Sequence, residues 1–540
     1  MHEKRVKVSF HPGGQCIEVP VGTTILAAAR LAGVNLTAPC GGNKGCGRCL
    51  VKVYSQQKEN WLLACRTVVV EELLVELNTQ PPIILATGEG TEVALEPAIT
   101  YDVRGELKHR RNLPLLPQEQ PGEDVLGLAV DVGTTTLVAY LYNLLDGRLL
   151  AVHSLVNGQQ IFGADVISRL GYALQGADKY RQLRQRLLDD INHLAESCCR
   201  AAETRTGLVR EMVLVGNTAM MHFFLDLPIE GLAVAPFKPR QRGSCYRSAV
   251  ELGLTALPRA VCYVPPIIGS FVGSDALAAA LAQDFGRQGT ALLVDIGTNG
   301  EILLQAGERL LAASVPAGPA LEGAGIECGM VAAAGAISKV TIDFDVHTEV
   351  IGGGRATGIC GSGLVDALAE MLRLGIIDRA GQLLPPSQVP PVVSFKVKQR
   401  LQQVGDNISF FLTEQVYISQ RDIRAVQLAK AAVAAGIKLL LKEAGLSKQA
   451  LSQILLAGGF GTYLNPNNAL RIGLLGKTAN TTKLQQVGNA AGVGAVLLLL
   501  SYPARQRAEQ LSQKFSHYEL ATNAHFQTVF LEQMAFPANR

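Results

Sequence analysis

The chain has 540 residues, of which 48% are hydrophobic and 18% charged, so it is long enough for several domains with large cores. Its formal net charge of +3 is too small to favour binding to nucleic acid or to an anionic membrane surface. The N-terminus lacks an apolar leader and no apolar run is long enough to cross a bilayer. The 11 cysteines do not follow the spacing of a disulfide framework, so we expect a cytoplasmic protein in a reducing compartment.

A cysteine-rich loop is the most specific motif of the N-terminal part. Its spacing is C-x5-C-x2-C with a fourth cysteine further along, and the four candidate ligands are Cys40, Cys46, Cys49 and Cys65. The glycines between them let the backbone wrap closely around inorganic sulfides, which favours a [2Fe–2S] cluster. A structural zinc site usually has two tight cysteine pairs, and here only Cys46 and Cys49 form one, so zinc is the second interpretation. The third interpretation is that these cysteines are packed in the protein core and bind no metal.

The elements around this loop predict the fold of the first domain, residues 1–80. Two strands at residues 4–10 and 17–21 precede a short helix capped by Thr23 or Thr24, and another strand follows the loop. This order resembles plant- and adrenodoxin-type ferredoxins, and the longer first cysteine spacing favours the adrenodoxin-like branch. The resemblance implies a β-grasp, ferredoxin-like domain that carries a [2Fe–2S] cluster.

Residues 81–124 differ in composition from the domain that precedes them. They are rich in proline, glycine and charge and show little periodicity, so we predict a linker, with room for one short ordered piece. The run from His109 to Arg111 within it is interpreted as a solvated charge run in preference to a docking patch.

The remainder of the chain contains the same strand–turn–strand pattern twice. In each copy an apolar strand ends in an Asp-x-Gly-Thr turn, and the two turns lie 164 residues apart. Such turns bring backbone N–H and hydroxyl groups to phosphate oxygens while the aspartate holds Mg²⁺, usually through water. The candidate phosphate- and Mg²⁺-binding residues are Asp131, Gly133, Thr134, Thr135, Asp295, Gly297, Thr298 and Asn299.

Two further strand–glycine segments strengthen the duplication. One places Asn217 after an apolar strand, and the other places Gly458, Gly459 and Phe460 after another. The whole set resembles the acetate and sugar kinase, Hsp70 and actin superfamily, in which two α/β halves close over ATP. The resemblance implies an α/β multidomain chain with a duplicated actin-like (ASKHA) ATPase body, and it assigns the Gly458–Phe460 turn to adenosine. We predict the ATPase subdomains at residues 125–290 and 291–540.

Three other segments of the body carry candidate residues. A Gly-rich loop before a predicted helix at residues 356–372 presents Ser362 with an exposed hydroxyl, at a helix N-terminus that favours anions. A long Ala-rich helix ending at Gly445 is predicted to pack between the two halves, and its Lys430 is assigned equally to nucleotide contact or to solvent. The Gly-rich stretch around Glu322 lies where related ATPases place a nucleotide- or partner-facing loop.

An electron carrier and an ATP clamp belong in one chain if the electron must move to an acceptor of lower potential. For a one-electron step, each ~59 mV costs a factor of ten in the equilibrium constant. A gap of roughly 150 mV therefore costs about 3.5 kcal/mol, which coupled nucleotide binding and conformational change can offset.

The order of domains and the motifs DVGTTT, DIGTNGE, GICGSGL and LAGGFG together resemble the reductive activators of corrinoid-dependent methyltransferase systems. The resemblance implies an ATP-dependent enzyme that passes one electron from its [2Fe–2S] cluster to the Co(II) corrinoid of a partner protein, which returns to Co(I). It also implies an upstream electron donor and a homodimer. A separate hypothesis, based on the coordination chemistry of cobalt, is that Ser362 approaches the corrinoid.

Three other functions stay open at this point. The first is activation of another low-potential enzyme, as in the ATP-driven activators of acyl-CoA dehydratases, although those lack an N-terminal ferredoxin domain. The second is a small-molecule kinase with a redox-sensing ferredoxin module, which needs a catalytic base near the γ-phosphate that the sequence does not single out. The third is a non-enzymatic, redox-sensing actin-like binding module.

Overall fold

A computed structural model of the chain describes residues 4–11, 14–34, 36, 49–55, 58–77, 95–102, 106–118, 123–287, 289–458, 464–476 and 482–538. The predictions for Cys40, Cys46, Gly459 and Phe460 lie outside these residues. Among the described residues, no helix combines the length and hydrophobicity that crossing a membrane requires.

The N-terminal domain is a five-stranded sheet packed against one helix. Its elements are β1 (Arg5–His11), β2 (Cys16–Pro20), α1 (Ile25–Leu31), β3 (Leu50–Ser55), β4 (Lys58–Leu63) and β5 (Leu73–Glu76). The strand order is β2-β1-β5-β3-β4, with β1 and β5 parallel and the other pairs antiparallel. Alternate residues of β1, among them Val8 and Phe10, are buried against α1. Thr24 caps α1 as predicted, because its hydroxyl accepts a hydrogen bond from the Ala27 N–H.

The segment between the N-terminal domain and the body contains a small antiparallel sheet of β6 (Ile99–Tyr101) and β7 (Leu107–His109). Ile99 is buried in the core that joins the two halves of the body. His109 is 1% exposed, and its Nε2 lies 3.4 Å from the carboxylate of Glu211. The interpretation of this run as a solvated charge run is therefore wrong for His109, whereas Arg110 and Arg111 are exposed.

The first half of the body is built on a six-stranded sheet with the order β10-β9-β8-β11-β13-β12. Its elements are β8 (Leu126–Val132), β9 (Thr136–Asn143), β10 (Leu149–Val156), a 3₁₀ helix (Gly158–Ile161), α2 (Val166–Ala173), α3 (Ala177–Ala201), a 3₁₀ helix (Thr206–Leu208), β11 (Val209–Gly216), α4 (Thr218–Phe224), α5 (Glu230–Ala233), β12 (Cys245–Ser248), α6 (Ala249–Leu252), β13 (Val261–Val264) and α7 (Ser274–Ala282).

The second half is built on a six-stranded sheet with the order β24-β23-β14-β15-β16-β25, accompanied by the small sheets β18-β17-β19 and β20-β21-β22. Its elements are β14 (Thr290–Ile296), β15 (Gly300–Ala306), β16 (Arg309–Val315), a 3₁₀ helix (Pro319–Glu322), β17 (Ala336–Ile342), β18 (Val346–Val350), β19 (Gly358–Ile359), α8 (Gly361–Leu374), α9 (Phe395–Gln399), β20 (Leu401–Val404), β21 (Asn407–Phe411), β22 (Tyr417–Ser419), α10 (Gln420–Ala444), a 3₁₀ helix (Lys448–Ala450), β23 (Gln453–Ala457), α11 (Pro466–Arg471), β24 (Lys483–Gly488), α12 (Ala490–Leu500), α13 (Tyr502–Lys514), β25 (Phe515–His517) and α14 (Phe526–Glu532).

The two large sheets repeat one topology. In each half, three strands form an antiparallel meander whose first strand also pairs in parallel with a later strand: β8 with β11, and β14 with β23. Both Asp-x-Gly-Thr turns therefore follow the first strand of a meander. The duplicated body predicted from the sequence is confirmed.

The two halves meet through helices of small residues, but these are not the ones predicted. Helices α7 and α12 pack against each other. A Cβ on Gly494 of α12 would lie 2.1 Å from the Ala278 carbonyl oxygen of α7, so the helices touch backbone to backbone. The Ala-rich helix α10 packs instead within the second half, where Gly436 lies against Ile302 and Val315. The prediction that α10 packs between the halves is wrong.

Candidate nucleotide cleft and cluster site

The first Asp-x-Gly-Thr turn connects β8 to β9. Asp131 lies near the end of β8, and the Gly133 N–H donates to the Thr136 carbonyl at 2.9 Å, which closes the turn. A Cβ at Gly133 would lie 2.6 Å from that carbonyl oxygen, so the turn requires glycine there. Asn489, the N-cap of α12, donates to the Asp131 carboxylate.

The carbonyl groups of this turn are held from behind by side chains that the sequence analysis did not identify. The acceptors are the carbonyls of Gly133, Thr134 and Thr135, and the donors are Asn157 Nδ2 at 2.9 Å, Arg169 Nη2 at 2.5 Å and Gln160 Nε2 at 3.2 Å, respectively. Arg169 is fully buried, and burial lowers the pKa of its guanidinium to about 10. A cation thus lies directly behind the turn.

The second turn connects β14 to β15 and adjoins the predicted adenosine turn. The Gly297 N–H donates to the Asn299 carbonyl at 3.0 Å. Gly458 has a φ of +88° at the end of β23, and a Cβ there would lie 2.5 Å from Asp295 Oδ1. The structure therefore places the start of the Gly-rich turn directly against the aspartate of the second phosphate turn.

Glu322 joins the two turns across the cleft. Its carboxylate accepts a hydrogen bond from Thr298 Oγ1 at 2.5 Å, and each of its oxygens lies 3.3 Å from Thr135 Oγ1, the donor from the opposite half. Burial raises the pKa of Glu322. The sequence indicated a nucleotide- or partner-facing stretch here but gave no sign that this carboxylate binds both turns.

The cleft is lined by buried carboxyl groups. Burial raises the pKa of Asp131 to about 6, and burial followed by the charges of Asp131 and Glu322 raises that of Asp295 to about 7. Asp275 and Glu301 lie close enough to add to this repulsion, and burial also raises their pKa values. Within the part of the chain that the structure describes, no three His, Cys, Asp or Glu side chains converge on a metal position.

Two other candidate residues lie in surroundings different from those expected. Ser362, in the first turn of α8, is 2% exposed, and its hydroxyl donates to the Ser338 carbonyl at 2.9 Å. The expectation of an exposed hydroxyl is therefore wrong. Lys430 is 1% exposed, and its ammonium donates to the Gln533 carbonyl and, at 2.6 Å, to the Ala535 carbonyl. It holds the C-terminal segment, so neither assignment, to the nucleotide or to solvent, is correct.

Two of the predicted cluster ligands, Cys49 and Cys65, are among the described residues and lie close together in the N-terminal domain. Cys49 immediately precedes β3 and Cys65 follows β4, and these strands are paired through Leu50 and Leu63. Both cysteines are buried, and the Cys65 N–H donates to Cys49 Sγ at 3.2 Å. An N–H donor to a cysteine sulfur is a feature of iron–sulfur ligation, so these two residues fit a cluster.

Family models match three parts of the chain. A family model for the 2Fe-2S iron-sulfur cluster binding domain matches residues 9–70. The model of the RACo middle region matches residues 126–288, and that of the C-terminal domain of RACo, the ASKHA domain, matches residues 289–540. The matches confirm an iron–sulfur domain followed by an ASKHA ATPase body, and they favour the cluster over zinc at the cysteine loop.

Two relatives and one solved structure agree with these models. The chain is 30% identical over 568 residues to the corrinoid activation enzyme RamQ of Eubacterium limosum, covering 94% of this chain and 95% of the relative. It is 26% identical over 446 residues to the [Co(II) methylated amine-specific corrinoid protein] reductase of Methanosarcina barkeri, covering 76% and 77%. A solved structure of a reductive activator for corrinoid, iron-sulfur protein superposes with a TM-score of 0.73 at 28% identity, covering 98% of each chain.

Proposed function

From the membership of this chain in the family of ATP-dependent corrinoid activation enzymes, we propose that it transfers one electron to the Co(II) corrinoid of a partner protein. The corrinoid returns to Co(I), the state that accepts a methyl group. The observation that carries the proposal is the joining, in one chain, of a cysteine pair suited to a cluster with a cleft where two phosphate-type turns meet at Glu322. Either feature alone would suit a simple ferredoxin or a simple kinase.

The electron carrier is a [2Fe–2S] cluster, which supplies one-electron chemistry when bound. Cys49 and Cys65 would hold it together with Cys40 and Cys46 of the Gly-rich loop. The N–H group of Cys65 already points at one ligand sulfur, and such donors stabilise the reduced, more negative state of a cluster.

The ATP site is the cleft between the halves, which we place at residues 125–290 and 291–540, after a linker at 81–124. Asp131 and Asp295 would hold Mg²⁺ through water, because Mg²⁺ usually keeps several of its waters when it binds nucleotide phosphates. The proposed phosphate contacts are Gly133, Thr134, Thr135, Gly297, Thr298 and Asn299, and the proposed adenosine contacts are Gly458, Gly459 and Phe460.

Binding of MgATP would bring the two turns together around the phosphates, in place of the bridge through Glu322, with Mg²⁺ offsetting the negative charge of the phosphates and carboxylates. Such closure can supply the few kcal/mol that an uphill electron transfer requires. Ser362 is retained as the residue that approaches the corrinoid. Because its hydroxyl is bound to the Ser338 carbonyl, this role requires the hydroxyl to leave that partner. A homodimer, an upstream electron donor and a cytoplasmic location complete the proposal.

The test is a spectroscopic assay of the partner's cobalt. Reduced protein, MgATP and the Co(II) corrinoid protein of a methyltransferase system from the same cell are mixed, and the Co(I) absorption band is followed. The band should appear only with ATP, and the double variant Asp131→Ala/Asp295→Ala should not produce it. Full reduction by that variant, or a purified protein that holds zinc and no iron, would refute the function. Reduction by Ser362→Ala at the wild-type rate would remove only the role of Ser362.

A further inference from the structure

The helix of the ferredoxin domain contacts the body directly behind the first phosphate turn. Arg30, near the end of α1, donates from Nε at 2.9 Å and from Nη2 at 2.7 Å to the carbonyl oxygen of Ile161. Its guanidinium also lies over two aromatic rings of the body, 5.5 Å from the centre of Phe162 and 5.3 Å from that of Tyr172. A bidentate, ring-stacked contact of this kind has a defined geometry, unlike that of a lysine.

A second contact lies beside the first. Arg186 of α3 donates from Nη1 at 2.5 Å to the carbonyl of Gly33, in the turn after α1. Its Nε lies 3.2 Å from one oxygen of Asp190, and the other oxygen of that carboxylate accepts from the Gly158 N–H at 2.7 Å. The ferredoxin domain is thus bound through both arginines to the stretch that begins after β10.

That stretch, residues 157–163, is here called the relay segment, because its other side binds the phosphate turn. The Asn157 N–H donates to the Thr135 carbonyl at 2.9 Å, in addition to the side-chain bonds from Asn157 and Gln160 described above. Arg169 connects the two as well, because its Nε donates to the Gly163 carbonyl while its Nη2 holds the Thr134 carbonyl.

The direction of these hydrogen bonds determines whether the relay segment favours or opposes nucleotide binding. In a trans peptide the carbonyl and the next N–H point in opposite directions. Because the relay segment and Arg169 hold the carbonyls of Gly133 and Thr134, the N–H groups of Thr134 and Thr135 point away from the relay segment. This arrangement leaves those donors for phosphate oxygens, so whatever stabilises the relay segment also favours nucleotide binding.

We propose that docking of the ferredoxin domain through Arg30 and nucleotide binding at the first phosphate turn are positively coupled through the relay segment. The inference rests on the proposed function only in that the nucleotide is ATP. Arg30 acts as a positioning residue and touches no substrate. By reciprocity, ATP strengthens the docking of the ferredoxin domain as much as docking strengthens ATP binding. The electron carrier is then held more tightly against the body while ATP is bound and less tightly when it is not.

The test uses the full chain with its cluster and measures the dissociation constant of MgATP by calorimetry. If the coupling lies at the lower end of the range usual for two linked sites, Arg30→Ala should raise this constant by about 5- to 10-fold. Arg30→Lys should give a smaller rise. The matched control is Arg5→Ala, because Arg5 is an exposed arginine of the same domain whose guanidinium donates to the backbone carbonyl of Glu18 within the β1–β2 hairpin. The visible spectrum of the cluster should be the same in all four proteins, which shows that the domain is folded.

A double-mutant cycle tests whether the relay segment carries the coupling between docking and ATP binding. If the relay segment carries the coupling, Arg30→Ala should cost less ATP affinity in a Gln160→Ala background than in the wild type. Strictly additive effects would refute the relay, and an unchanged ATP affinity in Arg30→Ala would refute the coupling itself. Both readouts are binding constants, so they are separate from corrinoid reduction. A protein that couples docking to ATP but reduces no corrinoid would refute the proposed function and leave this inference standing.

Discussion

Replacing Gly458 by alanine should impair the ATP site, while the stability of the fold should fall by little more than the cost of a side chain at this backbone conformation. The residue has a φ of +88°, where a side chain costs about 1–2 kcal/mol. The new Cβ would lie 2.5 Å from Asp295 Oδ1 and 3.0 Å from the Ile296 carbonyl oxygen. The carboxylate must therefore retreat by roughly 0.5–1 Å, and a displacement of about 1 Å near reacting groups can lower a rate by about 100-fold. We expect ATP hydrolysis to fall by about that factor.

Gly445 provides a matched control for the backbone cost. It ends α10 with a φ of +70°, and a Cβ there would meet nothing within 4 Å. Both variants should lose a few degrees of melting temperature, at about 2–4 °C per kcal/mol. Only Gly458→Ala should lose ATP turnover, measured as phosphate release with saturating MgATP. Equal turnover in the two variants, with the same melting temperature, would show that the Gly458 turn does not set the position of Asp295.

Three further changes address separate parts of the molecule. Glu322 is the buried carboxylate that lies between the two phosphate turns, so we propose it as the base that takes a proton from the attacking water. Glu322→Gln should then keep ATP binding within a few-fold but lower phosphate release by about 100-fold, and unchanged release would exclude this role. Cys65→Ser should abolish the visible spectrum and lower the iron content, whereas Cys16→Ser, at an exposed cysteine outside the loop, should change neither; a colourless Cys16→Ser protein would contradict the assignment. Lys430→Met should lower the melting temperature by releasing the C-terminal segment and leave ATP affinity intact, which calorimetry can check.

The parts of the site that the sequence predicted are those defined by local backbone geometry. Each Asp-x-Gly-Thr turn needs a glycine where the chain folds tightly on itself, and Gly133 shows the reason, since a Cβ there would overlap a carbonyl of its own turn. The end of α10 at Gly445 follows in the same way from a left-handed C-cap. Such requirements act within a few residues, so they leave a readable signal in the sequence.

The residues that the sequence analysis missed bind partners far along the chain. Glu322 meets a threonine 187 positions away, and Arg169 holds a turn 35 positions away. Lys430 was assigned to nucleotide or solvent because a lysine on an amphipathic helix gives no sign that a C-terminal segment will cover it. Ser362 was expected to be exposed because helix N-termini commonly bind ligands, yet a neighbouring strand supplies the acceptor. In each case the deciding contact forms only when separate elements pack.

The buried carboxyl groups of the cleft should make the stability of the protein depend on pH in opposite directions with and without nucleotide. In the empty protein, Asp295 has a pKa of about 7, well above the 3.8 of an unburied aspartate. Between those values the folded state binds a proton that the unfolded state does not, so this group makes stability rise as the pH falls from 7 towards 4. The slope is at most about 1.4 kcal/mol per pH unit for one proton, and Asp295→Asn should remove it.

MgATP should reverse this preference, because Mg²⁺ and its water shell require an ionised carboxylate whereas burial and the charges of Asp131 and Glu322 favour the protonated one. The rise in melting temperature caused by MgATP should therefore grow from pH 6 to pH 8 and be accompanied by proton release in calorimetry. ATP without Mg²⁺ should stabilise little at any pH, since its phosphates would enter a cleft lined by carboxylates. Equal stabilisation at pH 6 and pH 8, with no proton released, would mean that Asp295 does not face the metal–nucleotide complex.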